Sequence, residues 1–366
     1  MRVIVLEKER YPREKICAGG VGARAFKRLE KIGVEVQCPR VPLDALAVRL
    51  ADDTIITRVP GLGAVVRRVE FDHALAKVAV RRGIDVHDGC AVESIEFGDE
   101  SGPGDPRIAV TTNTGERILS RALVGADGVA GIVRNQAGFA KPTLRAQVVE
   151  LDTETCAQDL PRDTVVFDFV QRDLAGYAWD FPTIVDGVPL VCRGAYVIRN
   201  LGKDDARARC AAYLAERGLD IGNYRIKQFA ERGFEPGTTI ARPRVILVGE
   251  AAGIDIATGE GIGQAIEYGA VAGPYLARAL ANDDLGFADW QRTVERHHLG
   301  FQFRLRHLAY QWFYGERRAT VERAMPKLGS LFKVALQDFA GVPMSPLAIA
   351  HGLGQLARAY VGGRIA

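Results

Sequence analysis

The stretch ILVGEAAGIDIATGEGIGQAIEYG (246–269) decides the fold. Together with Val245, its opening residues make a short, wholly apolar run, Val245–Val248, which reads as a parallel strand buried on both faces. The run empties into Gly249-Glu250-Ala251-Ala252-Gly253, small residues that leave room beside the strand for a bulky group. A second glycine-rich segment, Thr258-Gly259-Glu260-Gly261-Ile262-Gly263, leads into a helix that begins near Gly261. That helix turns its positive dipole end toward the space beyond the strand. Small residues at 261, 263, 265, 269, 270, 272 and 273 serve tight helix–sheet packing equally well. Strand, small-residue turn and helix form one unit of a nucleotide-binding α/β sheet.

Upstream, further pieces of such a sheet recur. Arg2–Leu6 is an apolar run that ends in Glu7 and reads as a short buried parallel strand. Val21–Ile32 has helical spacing and stops at Gly33. Leu43–Arg58 alternates like two strands around Asp52-Asp53, and Phe71–Arg82 is a helix with Phe71, Leu75, Val78 and Ala79 on one face. Asp85–Phe97 reads as a strand pair, 98–107 as a Gly/Pro/Asp turn, and Ile108–Thr112 with Arg117–Val124 as a hairpin that runs into Gly125-Ala126-Asp127-Gly128. From Ala146 to about Glu235 the chain is strand-rich, with runs at Thr164–Gln171 and Pro189–Ile198 and one helix over Asp204–Arg217. From Phe287 onward it is helical and rich in aromatics.

The pattern predicts an α/β protein whose Rossmann-like nucleotide-binding domain is interrupted by a β-rich domain. Residues 1–40, 66–145 and 236–285 form the first, 41–65 and 146–235 the second, and 286–366 a C-terminal helical region. A length of 366 residues suits two or three such units. With 48 basic and 45 acidic residues the net charge is +3, and the basic residues are scattered, unlike the concentrated face of a nucleic-acid binder. No run reaches the ~20 apolar residues of a membrane span. The opening MRVIVLEKER is too short and charged for a signal peptide. Six scattered cysteines (17, 38, 90, 156, 192 and 210) make no CxxC pair, so reduced thiols, no metal site and a cytoplasmic setting are expected.

In the β-rich part, Gly176-Tyr177-Ala178-Trp179-Asp180-Phe181-Pro182 puts Tyr177, Trp179 and Phe181 on one strand face. Three aromatics there make a sandwich core or the wall of an apolar pocket.

In order along the chain, LEKERYPREKICAGG (6–20), RVEFDHALAKVAVRRGIDV (68–86), LVGADGVAGIVR (123–134), GYAWDFP (176–182) and 246–269 resemble the geranylgeranyl reductase family. That family lies within the flavoprotein superfamily of aromatic hydroxylases and flavin halogenases. PREKICAGG and YxWxFP are the most specific elements; ADG and GEAAG mark only the superfamily.

The resemblance implies FAD as cofactor and assigns positions to it. Glu7 would hold the ribose, Ala18 and Gly19 would line the flavin, and Arg68 would reach toward the cofactor. Ala91 would sit by the adenine. Glu250, where the family usually has aspartate, would lie near the ribityl–pyrophosphate linker, and Gly261 and Ile262 would offer backbone N–H groups to the flavin ring. Cys17 matches a family cysteine near the reactive face and is the candidate catalytic residue, although a buried small residue is an equally ordinary role for it. The family opens with a strand and a GxGxxG helix. Neither is present here, so two explanations compete: a start placed about thirty residues too late, the length of one strand–helix unit and the favoured one, or a real truncation. Either implies weak FAD binding by this 366-residue chain.

The function this implies is reduction of C=C bonds in an isoprenoid-like or other apolar small molecule, with NAD(P)H or a ferredoxin as electron donor. A monooxygenase or halogenase on the same scaffold is the alternative, although YxWxFP replaces the WxWxIP usual in halogenases. The third reading is a truncated, non-catalytic remnant or a lipid- or partner-binding protein. Phe301, Leu305, Leu308, Trp312 and Phe313, flanked by Arg304, Arg306 and Arg317, form a stripe on a helix over 301–316 that could touch a membrane surface from the cytoplasm. No sequence feature demands an obligate protein partner.

Overall fold

In the computed structural model, residues 2–98, 107–171, 173–199, 201, 204–315 and 318–342 are described, with isolated positions beyond. Most of the expected turn at 98–107 lies outside them, as do Arg317 and the Trp312 side chain. The chain runs through β1 (Ile4–Glu7), β2 (Gly20–Gly22), α1 (Ala23–Lys31), β3 (Arg40–Arg49), β4 (Thr54–Val66), α2 (Arg68–Arg81) and β5 (Asp85–Asp88). Next come β6 (Val92–Phe97), β7 (Ile108–Thr112), β8 (Arg117–Ser120), β9 (Leu123–Gly125) and α3 (Ile132–Gln136). The β-rich passage holds β10 (Arg145–Thr153), β11 (Thr164–Asp168), β12 (Gly176–Val185), β13 (Val188–Ile198), α4 (Ala206–Ala215) and β14 (Lys227–Arg232). Then follow β15 (Ala241–Arg242), β16 (Val245–Leu247), α5 (Gly249–Ala252), α6 (Ile262–Ala281), α7 (Trp290–Arg296), α8 (His298–Phe313), α9 (Arg318–Ala324) and α10 (Gly329–Phe339).

The nucleotide-binding half contains two parallel ladders. β1 pairs in parallel with β5, and β9 in parallel with β16, to which β15 adds antiparallel. β6, β7 and β8 form an antiparallel meander beside them. β16 is fully buried, as its apolar run demands. β1 corrects the sequence reading. It forms, but Val3 and Val5 stay 36% and 40% exposed, because β1 has a strand neighbour on one edge only among the described residues.

The other half is one eight-stranded sheet in the order β14-β10-β13-β12-β11-β3-β4-β2. Residues 20–22 pair antiparallel with Gly63–Val65 at its edge, so the helix expected from Val21 starts only at Ala23 as α1. Strand alternation splits this sheet cleanly. On the back face Val149, Leu151, Ala195 and Val197 pack under α4 with Cys210 and Leu214. Buried Arg193 there bridges Asp180 at 2.6 Å and Asp159 at 2.8 Å. On the front face Val148, Tyr196, Tyr177, Trp179 and Phe181 join Tyr310, Tyr314 and Leu336 of the C-terminal helices in the largest core. The loop 8–19 crosses this front face. All six cysteines are free.

Candidate active site

The PREKICAGG segment is held by charge at one end and by backbone fit at the other. Arg13 donates from Nε to Glu7 Oε2 (3.0 Å) and from Nη1 to Asp72 Oδ2 (2.9 Å). Arg68, the first residue of α2, grips the same Asp72 with Nε and Nη2 at 2.7 and 2.8 Å. Glu7, Arg13, Asp72 and Arg68 thus form one ionic chain. At the other end, Gly19 has φ +82°, and its carbonyl accepts from the Val66 N–H at 2.9 Å. A Cβ at Gly19 would overlap the Val66 carbonyl oxygen, so only glycine lets the loop close on β4.

Cys17 lies between these anchors. Its N–H donates to Glu150 Oε1 at 3.0 Å, and its sulfur accepts from the Gly19 N–H at 3.4 Å. Burial pushes the Cys17 thiol up; Arg68 opposes this and Glu150 reinforces it, so the group is a thiol and not a thiolate at neutral pH. Ala18 packs against the front-face core, and a Cβ on Gly20 would meet the Phe181 ring. Tyr177, Trp179 and Phe181 therefore stand on the sheet directly behind the 17–20 loop, as both core and wall. Tyr177 stacks on Tyr196 with centroids 5.0 Å apart, and its hydroxyl donates to the Thr258 carbonyl at 2.6 Å.

Glu250 lies in α5, with Gly128 of the ADG turn beside its Oε2. Its Oε1 is buried without a partner, and burial raises its pKa against the pull of Lys15. Lys15 also faces Glu231, whose Oε2 is likewise buried and unpartnered and lies near the Gly259 backbone. Burial, and then Glu250, push Glu231 well above the ordinary carboxyl range. Gly261 and Ile262 form the N-terminus of α6, a 20-residue helix with no side-chain cap at that end. Ala91 sits where the Cys90 N–H bonds to the Glu7 carbonyl (2.9 Å); its own N–H and C=O are both taken by Asn113. The structure thus brings Glu7 and Ala91 together at one end, and Cys17–Gly19, Arg68 and the three aromatics at the other. Among the described residues no group of three or more His, Cys, Asp or Glu could hold a metal, and no helix is long and apolar enough to cross a membrane.

These residues fit FAD. Glu250 Oε1 is a buried acceptor short of a donor, which a sugar or ribityl hydroxyl would supply. The uncapped N–H groups of α6 suit the electron-rich edge of a flavin. Sequence reasoning did not single out Arg13, Asp72, Glu150 and Glu231. The one available signal was a glutamate within the apolar run Ala146–Leu151, which is costly on a buried strand unless it has a task.

Comparison with known proteins agrees. Residues 1–170 match the FAD binding domain family. The digeranylgeranylglycerophospholipid reductase of Methanothrix thermoacetophila is 29% identical over 306 residues, covering 78% of this chain and 74% of that protein. The crystal structure of a geranylgeranyl bacteriochlorophyll reductase-like protein from Thermoplasma acidophilum superposes with a TM-score of 0.75 at 17% identity, over 99% of this chain and 91% of that one. A halogenase in complex with phloroglucinol and FAD shares the fold at a TM-score of 0.64 and 12% identity, over 92% and 78% of the two chains. Its FAD binding domain match, its order of motifs and its fold make the chain similar to the geranylgeranyl reductase-like FAD-dependent oxidoreductases.

Proposed function

We propose that the protein saturates C=C bonds of an isoprenoid-like or other long apolar substrate. The observation that carries this is the front face of the eight-stranded sheet. Tyr177, Trp179, Phe181 and Tyr196 make a continuous aromatic wall there, and it faces the loop expected to line the flavin. FAD, when bound and reduced, supplies hydride. The chain's own residues exclude water with that wall, orient the loop through Arg13 and Gly19, and hold protons on buried carboxyls.

The test is turnover of FAD-loaded protein, reduced under anaerobic conditions, with geranylgeraniol as probe. Mass spectrometry should find a product carrying two added hydrogens for each bond reduced. Oxygen uptake with incorporation of oxygen into the product, and no saturated product, would favour the monooxygenase reading instead.

A lipid-borne substrate calls for contact with its membrane. Along α8, Phe301, Leu305 and Leu308 are 55%, 54% and 57% exposed on one stripe, with Arg304 exposed beside them. We assign this stripe to peripheral contact with an anionic lipid surface.

A further inference from the structure

The front face of the sheet reads in rows, since residues paired across strands share a side. One row runs Lys227, Glu150, Gly194, Trp179. A Cβ on Gly194 would overlap the Trp179 ring, so the indole reaches over the glycine. Glu150 therefore stands at the border between the charged and aromatic parts of this face. It is only 2% exposed.

The surroundings of Glu150 leave it poorly compensated. The nearest cations are engaged elsewhere: Lys227 reaches Asp152 at 3.0 Å, and Arg67 grips the same Asp152 at 3.0 and 3.1 Å. Arg68 is bidentate on Asp72. Cys192 on β13 adds no positive charge. What remains for Glu150 is the Cys17 N–H on Oε1, while Oε2 is buried without a partner. A small cavity of about 20 Å³, lined by Cys17, Lys15, Arg68 and Lys227 as well as Glu150, adjoins it and has room for a water.

We infer that Glu150 is the proton donor of this site, delivering its proton at the Cys17 side of the pocket. The inference rests on the reductase reading above. One carbon of the double bond receives hydride from the reduced flavin, and the other forms its C–H bond as the Glu150 O–H bond breaks. Glu150 is left as carboxylate and regains a proton from solvent, relayed by the cavity water, so charge and electrons balance. Burial, opposed by Lys227 and the Cys17 N–H, pushes Glu150 up to about 7, which keeps the acid form available near neutral pH. The Cys17 N–H holds the loop over the acid, and the Cys17 thiol is not itself required to ionise.

Two measurements separate this inference from the reading it rests on. The first needs neither FAD nor substrate: the infrared difference between the wild-type chain and Glu150→Gln, titrated with pH. The expected result is a protonated-carboxyl band that disappears with a midpoint near 7, the value that burial gives Glu150. A difference spectrum with only carboxylate at pH 6 overturns the inference. The second uses the FAD-loaded protein. Glu150→Gln keeps an acceptor for the Cys17 N–H, so flavin uptake and apolar-ligand affinity should hold while kcat falls about 100-fold and loses its decline above pH 7. Glu150→Asp should retain that decline at reduced kcat, and it serves if the glutamine variant misfolds. An active wild type with an equally active Glu150→Gln overturns the donor role alone. A wild type that reduces no alkene overturns the reductase reading, and the donor role with it.

Discussion

Arg13 Nη1 lies 2.9 Å from Asp72 Oδ2, joining the loop after β1 to the second turn of α2 across 59 residues of chain. Asp72 is buried and serves two guanidiniums, whereas Glu7, at the far end of the chain, keeps access to water. The two ends should therefore respond unequally to truncation. Asp72→Asn leaves Arg68 without its carboxylate and Arg13 with Glu7 alone and should cost about 3 kcal/mol, while Arg13→Ala should cost about 1 kcal/mol, because Asp72 keeps Arg68. Urea unfolding of both variants measures this; equal losses would refute the asymmetry.

Gly19 and Gly83 share a positive φ (+82° and +77°) but not their surroundings. A Cβ at Gly83 meets nothing within 4 Å, whereas one at Gly19 overlaps the Val66 carbonyl. Gly83→Ala should cost about 1 kcal/mol from backbone strain alone. Gly19→Ala should cost at least twice as much and lower the flavin absorbance of the purified protein, since the loop can no longer seat on β4. Equal thermal midpoints for the two variants would count against that fit.

Glu150 makes stability depend on pH with a definite sign. Its folded pKa, about 7, lies above an unfolded value of about 4.3, so the native state holds the proton more tightly. The stabilisation is complete below the unfolded value and is lost as pH rises toward and through 7. Glu150→Gln carries no such term. Relative to wild type it should gain roughly 3 kcal/mol between pH 4 and pH 8. Paired denaturation curves at the two pH values test this, and a pH-independent difference would contradict it.

The α8 stripe predicts a surface effect without a folding effect. Phe301→Ser with Leu305→Ser should abolish co-flotation with vesicles containing anionic lipid and leave the unfolding free energy within about 0.5 kcal/mol of wild type, because both side chains are more than half exposed. A large loss of stability would instead place the stripe in a packed interface.

Much of this architecture was legible because period and burial coincide. The alternation over 164–171 and 189–198 and the helical spacing after Phe71 correspond to β11, β13 and α2. Two features escaped. Gly20–Gly22 is a three-residue edge strand in a glycine-rich run, too short to show any period, and only its partner Gly63–Val65 defines it. The exposure of β1 depends on what lies beside it, which a strand's own composition does not encode. Site residues divided the same way. Those inside contiguous motifs, such as Cys17, Glu250 and Gly261, could be named from the sequence. The partner that orients Cys17, Glu150, lies 133 residues away and becomes visible only when β10 is laid beneath the loop.

The row from Lys227 to Trp179 spans three strand spacings, about 14 Å on a sheet with neighbours ~4.8 Å apart, and passes from charge to aromatic surface along its length. Because that gradient is built into hydrogen-bonded strands, it is present before any loop moves. On the proposed reading, a ligand with one polar end would be sorted head from tail along this row. Regiochemistry, the choice of which bond along a chain meets the reactive centre, then becomes a matter of strand order, open to redesign by moving one aromatic by one strand.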